Sequence, residues 1–117
     1  MAPAAAYSHG VVTSPGSTLL HTSGTVPVGV DGTVPSALAE QVEQVWINLA
    51  AILDAGGFTF QNVVSVTTYV VVGQDLGVAM AARDRALAGH LAASTLVTVP
   101  ALARPEWLVE VALVAAR

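Results

Sequence analysis

The sequence predicts an α+β fold: a mixed β-sheet with two helices on one face, in the order β-β-α-β-α-β-β. Three observations lead there. Residues 36–57 carry apolar side chains at helical spacing and end on paired glycines. Residues 62–72 are a run of β-branched residues. The chain has 117 residues, enough for one domain, taken as 1–117, with one core.

Residues 7–13 and 18–23 read as two short strands. Ser14-Pro15-Gly16-Ser17 between them is a turn, because proline fixes φ and glycine permits positive φ. The pair predicts a hairpin. Residues 24–35 hold several Gly and Pro and predict an irregular connection, with a tight turn at Asp31-Gly32.

Ser36 follows Pro35 and is the expected N-cap of the first helix. Leu38, Val42, Val45, Leu49, Ile52 and Leu53 then make one apolar face, and Gly56-Gly57 offer a left-handed stop. In the 62–72 strand, Val64, Val66, Thr68, Val70 and Val72 alternate with Val63, Ser65, Thr67, Tyr69 and Val71. Both faces are apolar or neutral, so both are expected to be covered. Asp75 caps a second helix over 76–89, with Leu76, Met80 and Leu87 inward and Arg83, Asp84 and Arg85 outward. Residues 95–99 and 107–115 complete the sheet, joined by a loop from Pro100 to Pro105. Two helices cover one face of such a sheet. The other face must be buried against something, which predicts a closed oligomer.

Composition narrows the function classes. There is no cysteine, so disulfides, thiolate metal sites and thiol nucleophiles are excluded. A cysteine-free chain suits a reducing cytosol, and a cytoplasmic location is expected. Charged residues make up only 10% against 54% hydrophobic, which excludes disorder. The net charge is −4, with four arginines and no lysine, so no nucleic-acid partner is expected. Mean hydropathy is high at +0.67, yet the longest uncharged stretch, 2–30, is broken by three prolines. No membrane span and no secretory signal are expected.

Phosphate-loop, dinucleotide, zinc-protease and serine-hydrolase motifs are all missing. His9, His21 and His90 stand alone, so no metal site is expected. Trp46 and Trp107 read as packing or interface residues, not ligand stackers.

Taken in order, Tyr7, Leu20-His21-Thr22-Ser23-Gly24, Asp31-Gly32, Glu40-Gln41, Asn48, Ala55-Gly56-Gly57, Asn62-Val63-Val64, Thr68-Tyr69-Val70, Ser94-Thr95, Pro105 and Leu108-Val109-Glu110-Val111 resemble the RidA-type reactive-intermediate deaminases, the YjgF-like family. The resemblance runs through nearly the whole chain. It implies a chorismate-mutase-like subunit and a homotrimer with sheets facing a central barrel. Small-molecule clefts would lie between subunits. It further implies cofactor-free hydrolysis of enamines or imines to 2-oxo acids and ammonia.

The resemblance also assigns roles. Glu110 matches the carboxylate that positions or activates water, and Tyr7 and Ser23 match pocket positions. Gly24, Ser94 and Thr95 belong to the same ligand-binding segments, with Thr95 at a position often cysteine or threonine. Ala93 stands where the family has the arginine that holds a substrate carboxylate, and Met80 where it has an asparagine. Loss of a bidentate clamp is not conservative. Within one subunit Arg104 lies too far along the chain from Ala93 to replace it; a neighbouring subunit is the open alternative.

From the residues alone, Tyr7 reads equally as packing at a strand start, Ser23 as a turn residue and Glu110 as a solvated strand residue. Three functions stay in play. The first is hydrolysis of an imine, enamine or related molecule without the usual carboxylate anchor. The second is a non-catalytic ligand-binding trimer. The third, ribonuclease or translation inhibition, suits an acidic chain badly.

Overall fold

In the computed structural model, which describes residues 1–117, the sheet has four strands. They are β1 (Leu19–His21), β2 (Val63–Val71), β3 (Ala93–Val99) and β4 (Val109–Ala116). Their order across the sheet is β1-β4-β2-β3. β4 runs antiparallel to both neighbours, and β2–β3 is parallel, so the sheet is mixed. The helices are α1 (Leu38–Ala55) and α2 (Leu76–Leu87). The parallel step is the one that contains α2, as a crossover connection requires. The α+β class therefore holds.

α1 buries Val42, Val45, Trp46, Leu49 and Leu53 against Val66 and Val70 of β2 and Val109, Val111, Leu113 and Ala115 of β4. Burial of five such side chains is worth of the order of 10 kcal/mol as an upper figure. That outweighs the missing side-chain cap: Ala37, not the expected Ser36, holds the N-cap position and caps nothing. A cap is worth only about 1 kcal/mol. At the other end Gly57 has φ +78, while Gly56 stays right-handed at φ −87. Gly57 N–H donates to the Asp54 carbonyl and Phe58 N–H to that of Leu53, closing the last turn.

The predicted first strand is not formed. Ser8 makes a single parallel bridge with Ala93 at the β3 edge, whereas β1 pairs with β4 at the opposite edge. The Ser14–Ser17 turn exists, with the Ser17 N–H donating to the Ser14 carbonyl at 3.2 Å. It joins segments on opposite sides of the sheet instead of closing a hairpin. The predicted 18–23 strand shrinks to the three residues of β1, because beyond His21 the chain pairs only intermittently with β4.

α2 begins as expected, with Asp75 Oδ1 accepting from Gly77 N–H at 2.9 Å. It ends two residues early, at left-handed Ala88. Its inward stripe differs from the expectation. Ala79, Ala82, Arg83 and Leu87 are buried, while Leu76 and Met80 are half-buried. Arg83 is four residues from both Ala79 and Leu87, so the helical period itself carries it inward. β3 starts at Ala93, two residues before the expected Thr95, and β4 at Val109, two after Trp107.

In β2, Val66, Thr68 and Val70 share one face as expected, and it is the one the helices cover; a register irregularity between Val63 and Ser65 turns Val63 inward as well. The opposite face carries no helix. Ser65, Thr67 and Tyr69 on β2 share it with Ala93, Thr95 and Val97 on β3 and with Glu110, Ala112 and Val114 on β4. The expectation that both faces are covered is not met within one chain. No helix is long and apolar enough to cross a membrane.

Candidate functional site

The β4 alternation places Val109, Val111 and Leu113 in the core and Glu110 on the open face. Across the ladder Glu110 stands opposite Tyr69, and Tyr69 opposite Val97. Glu110 is half-buried as a residue, and its carboxylate forms no ion pair in the chain.

On the other flank of β4 the chain from Thr22 to Thr25 runs alongside. Thr22 N–H donates to the Leu113 carbonyl at 3.0 Å, and Thr25 exchanges two backbone bonds with Val111 at 2.7 and 3.0 Å. Ser23 and Gly24 together thus oppose Ala112 alone, a bulge in form. Gly24 packs against Glu110: a Cβ on Gly24 would lie 2.7 Å from the Glu110 carboxyl carbon.

α1 fixes both backbone segments that flank this spot. Asn48 Nδ2 donates to the carbonyls of Val26 and Val28, each at 3.0 Å, while its Oδ1 accepts from Gln44 at 2.8 Å. Gln41 is fully buried. Its Nε2 donates to the carbonyls of Pro35 and Glu106, and its Oε1 accepts from the Leu108 N–H. The apolar face of α1 faces the core; its amides tie down the loops.

The expected site residues divide into two groups. Ser23, Gly24 and Glu110 come together. Tyr7, Ala93, Ser94 and Thr95 gather at the start of β3, where Ser8 N–H donates to the Ala92 carbonyl and Ser8 Oγ to that of Leu91. Two strand spacings and four residues separate Ala93 from Glu110, roughly 16 Å. Tyr7 Oη accepts from the Ala4 N–H at 3.2 Å, and its ring meets His9 edge-on. Thr95 lies on the open face, level with Thr67 and Ala112. From Thr95 onward β3 is a free edge, with backbone donors unpaired on one side. Met80 lies in the helix layer, with the sheet between it and Glu110. One chain encloses no pocket, so it does not by itself unite the two groups.

The residue that sequence reasoning missed is Arg83. It is 5% exposed, and its Nη1 donates to Ser94 Oγ at 3.1 Å, while Nε and Nη2 hold Asp84. Its guanidinium therefore reaches the residue beside Ala93 from the helix side. The signal was its spacing of four from Ala79 and Leu87. Arg104 lies beyond the far end of β3, and Ala93–Val99 alone spans roughly 20 Å. The three histidines lie apart, with His9 at the Met1 carbonyl, His90 at the Val63 carbonyl and His21 on β1.

The fold matches solved structures closely. YyfB of Yersinia pestis, described as a Rid-family protein of unknown function, is 31% identical, with a TM-score of 0.83 over 96% of this chain and 87% of that one. Rv2704 of Mycobacterium tuberculosis, described as a member of the YjgF/YER057c/UK114 family, is 25% identical with a TM-score of 0.74, covering 93% of this chain and 85% of that one. Escherichia coli TdcF, solved with bound serine, is 23% identical with a TM-score of 0.79, covering 100% and 90%; at that identity the likeness is one of fold. A search among curated proteins finds no match. The family model described as Endoribonuclease L-PSP matches residues 1–117, so the chain belongs to that family, the one that includes the Rid and YjgF proteins.

Proposed function

We propose that the protein is a cofactor-free hydrolase of Rid type, acting on the C=N bond of a reactive imine, of an enamine once it has tautomerised to its imine, or of a related small molecule. The observation that carries this reading is Glu110: an unpaired carboxylate on the open sheet face, against Gly24, in a chain of this family. Three copies would bring their open faces together around a barrel, and each cleft would join the Glu110 group of one copy to the β3 edge of the next. A homotrimer is thus part of the proposal, and so is a cytoplasmic setting.

In the proposed reaction Glu110 accepts a proton from water as the oxygen attacks the C=N carbon. Glu110 returns that proton to the nitrogen to give the neutral carbinolamine; transfer of the hydroxyl proton to nitrogen as the C–N bond breaks then releases ammonia and leaves the carbonyl. Backbone donors near Thr95 would orient the ligand. The resemblance puts Ala93 at the family's arginine position and Met80 at that of its asparagine, which supports a substrate held without the usual carboxylate clamp. The same two residues favour a second reading, a trimer that binds a small molecule without turnover. Ribonuclease activity is the weakest reading, since net charge −4 and no lysine suit a phosphate backbone poorly.

The test is ammonia release from imines generated in place, with and without a carboxylate. The proposal expects turnover of carboxylate-free imines above that of 2-iminobutanoate or 2-aminoacrylate. Ligand binding with no turnover of either class would favour the binding protein.

A further inference from the structure

Gly24 has no positive φ to accommodate, so backbone freedom is not what calls for glycine there. The demand is steric: the Glu110 side chain occupies the space of the missing Cβ, with the carboxyl carbon 2.7 Å and Cγ 3.1 Å from where that Cβ would be. A Cβ at position 24 fits only if the Glu110 side chain, which no hydrogen bond or ion pair within the chain holds, swings away from this seat. The Gly24 segment is in turn held from below. Both carbonyls that Asn48 grips, Val26 and Val28, follow Gly24 closely in sequence, and Thr25 is clamped to Val111, next to Glu110.

We propose that Gly24 and Asn48 are positioning residues for Glu110: Gly24 gives the carboxylate its seat, and Asn48 holds that seat in place through the 26–28 backbone. The role of Gly24 is then to aim Glu110, and not to touch ligand through a side chain. The proposal rests on the catalytic reading of Glu110 for its consequence on turnover, but not for its geometry. Misplacing a reacting group by an ångström costs up to about a hundredfold in rate.

The chain has four glutamates, Glu40, Glu43, Glu106 and Glu110, so carbon-13 at the glutamate carboxyl gives four resonances. Loss of one signal in Glu110→Gln assigns Glu110. In Gly24→Ala the Glu110 resonance is expected to move while the Glu40 and Glu43 signals stay, with far-UV circular dichroism and mass unchanged. Turnover is expected to fall by roughly tenfold or more. Adding Glu110→Asp, one methylene shorter, is expected to restore part of that loss, which a merely structural defect would not show. Asn48→Ala, which leaves Gly24 intact, is expected to move the same resonance and serves as the test if Gly24→Ala does not fold. An unmoved Glu110 resonance in a folded variant overturns the proposal. Full turnover in Glu110→Gln, with the resonance still moved by Gly24→Ala, instead removes the catalytic reading and leaves the seat standing.

Discussion

Gln41 Oε1 accepts the Leu108 N–H at 2.8 Å, linking the first turn of α1 to the residue two before Glu110. The same amide donates to the carbonyls of Pro35 and Glu106 at 2.8 and 2.7 Å, all from a fully buried side chain. Three backbone groups depend on it. A buried backbone group left without a partner costs about 1–3 kcal/mol. Gln41→Leu, similar in size, is expected to lower stability by about 3 kcal/mol, read from the denaturant midpoint. A midpoint close to that of the native chain would show that water replaces the amide.

Ala93 begins β3 in register with Ser65, on the open face. If the anchor for a substrate carboxylate is what this chain lacks, Ala93→Arg supplies it. Charge-assisted hydrogen bonds contribute about 1.5–3 kcal/mol. Turnover of 2-iminobutanoate is expected to rise about tenfold or more, seen mainly in KM. An unchanged KM would place the ligand away from position 93.

Val114 lies between His21 and Ser65 on the open face. A charge there costs nothing when the face is in water and several kcal/mol when another copy covers it. Val114→Asp is expected to convert an assembly near three times 11.9 kDa to the single-chain mass, by light scattering. A single-chain mass for the native protein would remove both the trimer and the cleft.

Asp31 closes the predicted turn, its Oδ1 accepting from Thr33 N–H at 3.0 Å and from Thr33 Oγ1 at 2.7 Å. The Thr33 hydroxyl first, and its backbone N–H second, hold the Asp31 carboxyl below the ordinary aspartate range. A lowered folded value contributes stability above the unfolded pKa and loses it as pH falls through the folded one. Asp31→Asn is therefore expected to melt slightly lower than the native chain at neutral pH. The two should converge once the pH falls below the lowered Asp31 value, and melting curves at neutral and strongly acid pH check it.

α1 was legible because a 3.6-residue period over five turns and a Gly-Gly stop leave no other reading. The hairpin was not, because β-propensity says that residues 7–13 suit a strand but not which strand they meet; Ser8 meets Ala93 and Leu19 meets Ala116. Arg83 reads as outward by its charge, but its spacing of four from Ala79 and Leu87 carries it inward. For the site, alternation along β4 put Glu110 on one face, and the motif named Ser23 and Gly24. What Gly24 does was hidden, since only the bulge opposite Ala112 brings it against Glu110. The separation of Tyr7 and Ala93 from Glu110 was hidden too, because strand order is a long-range property.

The central claim is that Glu110 is the group that performs chemistry and not a structural carboxylate. Glu110→Gln keeps the side chain's shape and removes its charge. The decisive measurement is ammonia release from a turned-over imine by this variant, alongside its mass and melting temperature. The account predicts native mass, a melting temperature within about 1 °C of native, which corresponds to a few tenths of a kcal/mol, and turnover reduced by at least about a hundredfold. Full turnover, or dissociation of the assembly, would contradict it.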